Sequence, residues 1–217
     1  MKTPDDYSIN TAYSYADSKE LADYYNDSAN GYDEYAESVK YVLPCLVAQR
    51  ASQFIHGDEL IIDVGCGTGI LGVELNSMVD GLRIHGLDMS SEMIIQAYRK
   101  NKHNGNRHYE LFHYLDLASG DVIPENRYGF MVSSGTFTTG HLSGLHLLRI
   151  VNSMKDDAIA VFSVKSDHFD ESGFIEELIN LEKVGLIKVI DISEVDSYKN
   201  AEYSAMSKIV SLKITKN

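Results

Sequence analysis

The strongest constraint on the fold of this chain lies in Glu59-Leu60-Ile61-Ile62-Asp63-Val64-Gly65-Cys66-Gly67-Thr68-Gly69. An apolar run ends there on an acid, and glycine then occupies every second position. The run predicts a buried strand and the glycines a tight loop that a ligand approaches at backbone distance. Three alternating glycines can take positive φ and leave room against the main chain that a Cβ would fill. Ile70-Leu71-Gly72-Val73-Glu74-Leu75 follows with helical spacing, so the loop opens a helix whose unpaired N–H groups face the ligand.

Two ligand classes use a strand, a glycine loop and a helix in this way. The dinucleotide fingerprint is G-x-G-x-x-G, whose third glycine lets the helix pack beside a pyrophosphate. Here the spacing is G-x-G-x-G, and Ile70 stands where that glycine would be. Asp63 just before the loop would repel a pyrophosphate and suits a ligand carrying positive charge. Asp63-Val64-Gly65-Cys66-Gly67-Thr68-Gly69 resembles the D-x-G-x-G-x-G loop of the class I S-adenosylmethionine-dependent methyltransferases, matching it at every fixed position.

The resemblance implies S-adenosylmethionine as cofactor, S-adenosylhomocysteine as product, and a set of binding residues. A ribose-binding carboxylate belongs about 20 residues beyond the glycines, and Asp88 ends the next strand nineteen after Gly69. The competing helix N-cap role is already served by Ser90 and Ser91. Met89 matches the residue that packs on the adenine face. Asp116, at the end of the third predicted strand (109–117), matches the acid that accepts from the adenine amino group, with Leu117 supplying a backbone N–H; an ordinary turn aspartate is the alternative. Ser133 and Ser134 begin the motif that lies against the methionine moiety in the family. Methyltransferases of base amines and glutamine amides carry Asn-Pro-Pro-aromatic at this place, and this chain has neither the Asn nor a proline there.

The rest of the chain predicts an α/β Rossmann-like class I methyltransferase fold. Helices are expected at 91–101, 142–154 and 172–184, with strands at 158–164, 186–192 and 208–214. Residues 193–207 show no helical apolar period, so the last two strands should be antiparallel neighbours. That coincides with the family's seven-stranded sheet of order 3-2-1-4-5-7-6, strand seven reversed, with helices on both faces and the ligand at the C-terminal ends of strands one and four.

Composition agrees. The 217 residues are 44% hydrophobic with no linker-like stretch, as expected of one globular domain. A net charge of −13 and a sequence pI near 4.9 offer no phosphate-neutralising surface, so no nucleic-acid partner is expected. No apolar run reaches the ~20 residues of a membrane span, and residues 1–6 do not read as a signal peptide. A cytoplasmic protein with no membrane partner, a monomer or homodimer, is the expectation. Cys45 and Cys66 show no disulfide pattern, Cys66 has no activating base beside it, and the eight histidines show no metal spacing, so no metal is expected.

The first 42 residues differ from the remainder, 43–217. Eight of the fourteen tyrosines lie within residues 1–41. Tyr25-Asn26-Asp27-Ser28-Ala29-Asn30-Gly31-Tyr32-Asp33 fits Y-[DN]-x-x-A-x-x-Y-D, a pattern found ahead of the first strand in many small-molecule methyltransferases. It is especially similar to the methyltransferase-like proteins of the Williams-Beuren region type, where a proline, here Pro44, opens the following helix. A helix over 18–30 places Leu21, Tyr25 and Ala29 on one face, with Tyr25 toward the cofactor pocket. Related enzymes use these tyrosines as a lid near the cofactor's carboxylate, and simple packing of the helix on the sheet is the alternative for Tyr25 and Tyr32; Tyr7, Tyr13 and Tyr15 are expected to pack.

The activity implied is in-line methyl transfer to an N, O or S atom of a small-molecule acceptor, in which orientation supplies much of the rate. A base is needed only for a protonated acceptor. His141 is the first candidate, His168 the second, and Tyr32 could bind or deprotonate the acceptor instead. Two other functions fit the same motifs: a regulator or subunit that holds the cofactor without turnover, and a protein methyltransferase that docks a basic partner by charge.

Overall fold

The computed structural model describes residues 9–12, 15, 17–100, 105–200 and 202–216. Seven strands form one sheet: β1 (Leu60–Val64), β2 (Arg83–Asp88), β3 (Leu111–Tyr114), β4 (Tyr128–Phe137), β5 (Met154–Lys165), β6 (Ile187–Asp196) and β7 (Met206–Ile214). Their order is β3-β2-β1-β4-β5-β7-β6, the expected one. The pairs from β3 across to β5 are parallel, while β7 is antiparallel to both β5 and β6. This is the Rossmann-like class I methyltransferase fold.

Helices cover both faces. On one, α4 (Leu43–Ser52) and α5 (Ile70–Met78) bury Val47, Ala48, Leu71 and Leu75 against Ile61, Ile84 and Phe130. On the other, α7 (Leu147–Ser153), α8 (Ser166–Glu171) and α9 (Phe174–Lys183) bury Ile150, Phe169, Phe174 and Leu178 against Met131, Phe162 and Val210. Each central strand is therefore apolar on both sides, as a covered parallel sheet requires. Pro44 stands in the first turn of α4, as expected.

Several boundaries differ from expectation. β4 runs on through Ser133 and Ser134 to Phe137, because β5 continues to pair with it across a register shift. The helix expected over 142–154 is a 3-10 turn, Gly144–His146, followed by α7, and Met154 already opens β5. The helix expected over 172–184 starts only at Phe174, behind Gly173 at φ 74°, with the separate α8 before it. β6 extends to Asp196 because its polar end is an edge strand, with one side in water and no apolar signature. The helix expected over 91–101 is α6 (Ser91–Arg99), and residue 101 lies outside the described residues.

Ahead of β1 stand α1 (Ile9–Ala12), α2 (Ser18–Ser28) and α3 (Tyr32–Ser38). Asp17 caps α2, its Oδ1 accepting from the N–H groups of Lys19 and Glu20. The helix expected over 18–30 ends at Ser28, and a turn closed by Gly31 N–H on the Ser28 carbonyl leads to α3. Tyr15 packs on Tyr24 with ring centroids 5.6 Å apart; Tyr7 and Tyr13 lie outside the described residues.

Candidate active site

At the C-terminal edge of β1 the chain turns through Gly65, Gly67 and Gly69, at φ +69°, +52° and +83°. Each does a different job. A Cβ on Gly65 would lie 2.1 Å from Thr136 Oγ1, so this glycine lets β4 close on the loop. Gly69 precedes α5, and a Cβ there would lie 3.0 Å from both Ala97 Cβ and the Tyr109 ring. Only around Gly67 is the space open, with no atom within 4 Å of a Cβ. That space opens into a cavity walled by Val64, Leu87, Asp88, Met89 and Ser134, concave and largely apolar as small-molecule sites are.

The end of β2 brings Asp88 to this cavity. Its Oδ2 accepts from Gly67 N–H at 2.8 Å and its Oδ1 from Ser90 N–H at 2.8 Å. Burial raises its pKa against the pull of those N–H groups. Met89, Leu115 and Leu117 add apolar wall, and Asp116 lines the same cavity. Asp116 Oδ1 accepts from the Ala118 and Ser119 N–H groups at 2.9 and 3.1 Å, so half of its carboxylate serves as a turn aspartate. From β4 comes Ser134, whose buried Oγ has no hydrogen-bond partner among the described residues.

Four residues expected to touch the cofactor do not line the cavity. Asp63 is wholly buried behind the loop, where Tyr109 donates to its Oδ2 at 2.6 Å and its Oδ1 has no partner among the described residues. Burial pushes this carboxyl up to about 7, with the Tyr109 bond opposing and Asp88 reinforcing. Cys66 is buried beneath Gly86, and burial pushes its thiol well up, which disfavours the thiolate. Gly69 faces α6 and Tyr109, and Ser133 turns inward to donate to the Val64 carbonyl at 2.7 Å. All four therefore shape the loop from behind.

The N-terminal helices cover the cavity. Tyr25 and Tyr32 both line it, and the residues between them fasten the cover down. Asn26 Oδ1 accepts from Ser90 Oγ at 2.8 Å and from Glu92 N–H at 3.2 Å. Asn30 Oδ1 accepts from Gln96 Nε2 at 2.7 Å. Asp33 accepts from Thr68 Oγ1 and pairs with Lys100, which also donates to the Thr68 carbonyl. The Y-[DN]-x-x-A-x-x-Y-D pattern thus alternates tyrosines over the cavity with polar side chains that grip α6 and the glycine loop. Asn26, Asp33, Lys100, Tyr109 and Thr136 have no site signal individually; only the motif flags the first two.

The two histidine candidates part company. His141 lines the cavity and is mostly buried, and burial lowers its pKa. Its Nδ1 lies 3.1 Å from the Thr139 carbonyl, which can only accept, so Nδ1 carries the proton. Nε2 then accepts from the Tyr25 hydroxyl at 2.7 Å. His168, expected in a loop at the same edge, sits in α8 with Nε2 on the Leu142 carbonyl at 3.2 Å and does not line the cavity. Among the described residues no group of three or more His, Cys, Asp or Glu could hold a metal ion, and no helix is long and apolar enough to cross a membrane.

Comparison with known proteins places this edge in context. Residues 61–156 match the family described as "Methyltransferase domain". Malonyl-[acyl-carrier protein] O-methyltransferase of Priestia megaterium is 28% identical over 142 residues, 64% of this chain and 48% of that protein. Human methyltransferase-like protein 27 is 32% identical over 92 residues, 41% of this chain and 37% of that one. The chain spans about half the length of the first curated relatives it matches. Among solved structures, the 1,6-didemethyltoxoflavin-N1-methyltransferase of Burkholderia thailandensis, with 1,6-didemethyltoxoflavin and S-adenosylhomocysteine bound, superposes with a TM-score of 0.61 at 14% identity, covering 100% of this chain and 92% of that one. That likeness is one of fold. The domain match covers residues 61–156.

Proposed function

We propose that the chain binds S-adenosylmethionine in the cavity beside Gly67 and transfers its methyl group to an N, O or S atom of a small-molecule acceptor. The observation that carries this reading is a convergence on one cavity. Gly67 offers a backbone no Cβ obstructs, Asp88 offers a carboxylate oriented by two N–H groups, and Ser134 offers a buried hydroxyl without a partner. Each Asp88 oxygen keeps a lone pair for a ribose hydroxyl. Met89 and Leu117 suit the two faces of an adenine, and Asp116 Oδ2 suits its amino group. Asp63, Cys66, Gly69 and Ser133 would act indirectly, by holding the loop.

S-adenosylmethionine, when bound, would supply a sulfonium methyl with a good leaving group to an acceptor lone pair. The chain's tasks are to orient, to exclude water and to take up a proton when the acceptor brings one. Tyr25 and Tyr32 roof the cavity and suit the second task. For the third, a proton arriving at the Tyr25 oxygen can be balanced by the Tyr25 proton moving to His141 Nε2, which burial keeps neutral. Residues 1–42 would then be a lid and substrate segment on a cofactor-binding unit of 43–217. The lid motif and the match to human methyltransferase-like protein 27 support the Williams-Beuren-type kinship. Two cysteines free of disulfides suit a cytoplasmic setting.

Transfer of labelled methyl from S-adenosylmethionine into a cell extract split by size tests this function, with Asp88→Ala as control. Label in the small-molecule fraction that the control loses is the expected result. Label confined to macromolecules would replace the acceptor class with a protein. No label, despite cofactor binding, would leave a regulator without turnover.

A further inference from the structure

A second cavity lies against the first and shares Tyr25, Tyr32 and Gly135 with it. Its outer wall comes from two distant segments. Residues 40–42 pair with 197–199, through Val42 N–H on the Ser197 carbonyl and Lys199 N–H on the Lys40 carbonyl, both at 2.9 Å. That pairing sets Tyr41 beside Tyr198, with ring centroids 5.4 Å apart. Tyr41 also crosses Gly135, whose Cβ would lie 2.7 Å from the Tyr41 hydroxyl. The two rings, inclined at 45° to each other, give the cavity an aromatic wall.

Of the small polar side chains lining this cavity, Ser163 accepts from Gly135 N–H and Ser197 and Ser207 bond each other. Thr138 is 3% exposed, lines the cavity, and its Oγ1 has no hydrogen-bond partner among the described residues. A buried hydroxyl left so is unfavourable, and a ligand's polar atom would recover that loss. Lys165, at the end of β5, is the one charged residue among the described residues that line the cavity, in a chain whose net charge is −13. Its ammonium also pairs at 2.9 Å with Asp167, which is half exposed and outside the cavity. An ammonium has three N–H groups, so an incoming anion can share it with Asp167.

We propose that this second cavity is the acceptor site and that it takes a small aromatic molecule bearing one anionic group, held by Lys165 with Thr138 as a second polar contact. The proposal rests on the cofactor occupying the first cavity. Tyr25 and Tyr32, common to both, then stand where acceptor and methyl donor meet. Lys165 selects the acceptor by charge and has no part in binding the cofactor.

The test uses 4-hydroxybenzoate and 4-hydroxybenzamide, equal in shape and different in charge, titrated calorimetrically into the full chain saturated with S-adenosylhomocysteine. The acid should bind at least tenfold more tightly than the amide. Lys165→Met should bring the two within about twofold of each other, with affinity for S-adenosylhomocysteine unchanged. Thr138→Val should weaken the acid several-fold and keep its preference over the amide. Equal binding of acid and amide, binding of neither, or a preference that survives Lys165→Met would overturn the proposal. If S-adenosylhomocysteine itself does not bind, the methyltransferase reading falls separately, and the acid-to-amide comparison is still read on the ligand-free protein.

Discussion

Replacing Tyr109 by Phe removes one oxygen from the interior and should reveal how the glycine loop is held. The Tyr109 hydroxyl donates to Asp63 Oδ2 at 2.6 Å and accepts from Gly72 N–H, in the first turn of α5, at 3.1 Å. It therefore ties the end of β1 to the start of the helix behind the cavity. Phe keeps the ring and its packing on Phe112, 5.0 Å away, so the loss is confined to two hydrogen bonds. At pH 5.5, below the Asp63 value of about 7, a neutral bond is lost at roughly 0.5–1.5 kcal/mol and Gly72 N–H is orphaned at roughly 1–3 kcal/mol. A destabilisation of roughly 1.5–4.5 kcal/mol results, or a melting point lower by roughly 3–18 °C for a chain of this size.

The pH dependence carries the sharper test. Asp63 has a raised folded-state value, so its protonated form is stabilising below the ordinary carboxylate range, and that stability is lost as pH rises through about 7. The Tyr109 bond opposes the shift, so its removal should raise Asp63 further. At pH 8.5 the bond lost is to an ionised group, worth roughly 1.5–3 kcal/mol, and the destabilisation should exceed that at pH 5.5 by about 1 kcal/mol. Urea unfolding of wild type, Tyr109→Phe, Asp63→Asn and the double variant at both pH values measures this. A Tyr109→Phe effect that does not change with pH, or changes equally in the Asp63→Asn background, would refute the coupling.

Gly67→Ala should fold with only the modest cost of a left-handed alanine, roughly 1–2 kcal/mol, yet weaken S-adenosylhomocysteine at least tenfold, because its methyl group enters the cavity; Gly65→Ala should lose stability as well, since its Cβ meets Thr136. Calorimetry and thermal melts separate the two. Asn26→Ala removes the acceptor of two bonds to α6, so hydrogen exchange in residues 18–38 should quicken several-fold while β1 and β4 keep their protection. Burial holds His85 and His113 below the ordinary histidine value. Each therefore contributes stability above pH 6.5 that is lost as pH falls through the folded value, and His113→Gln should reduce the drop in melting temperature between pH 7 and 5.5.

The full sheet order came with the resemblance that the glycine loop carries, whereas the reversed last strand was legible in the sequence itself, because a missing helical period is a local signal. Residues 193–207 lack an apolar repeat, and a hairpin follows from that alone. Which side of a loop faces the cavity was not legible. Asp63 and Asp88 both end strands next to glycines, yet Tyr109, 46 residues beyond Asp63, covers the first and leaves the second open. Ser133 and Ser134 divide for the same reason, since strand alternation sends one toward Val64 and the other into the cavity. His141 and His168 were indistinguishable as loop histidines until α8 formed around the second. The tyrosine-rich segment announced a cover, but its fastenings, Asn26, Asn30 and Asp33, depend on side chains 35 to 66 residues away.

The most direct measurement is a crystal structure grown with saturating S-adenosylhomocysteine. Its ribose hydroxyls should lie on the Asp88 carboxylate, its adenine between Met89 and Leu117, and its amino-acid end toward Ser134 beneath Tyr25. Density for the ligand anywhere else, or an empty cavity beside Gly67 at saturation, would contradict the assignment of this site.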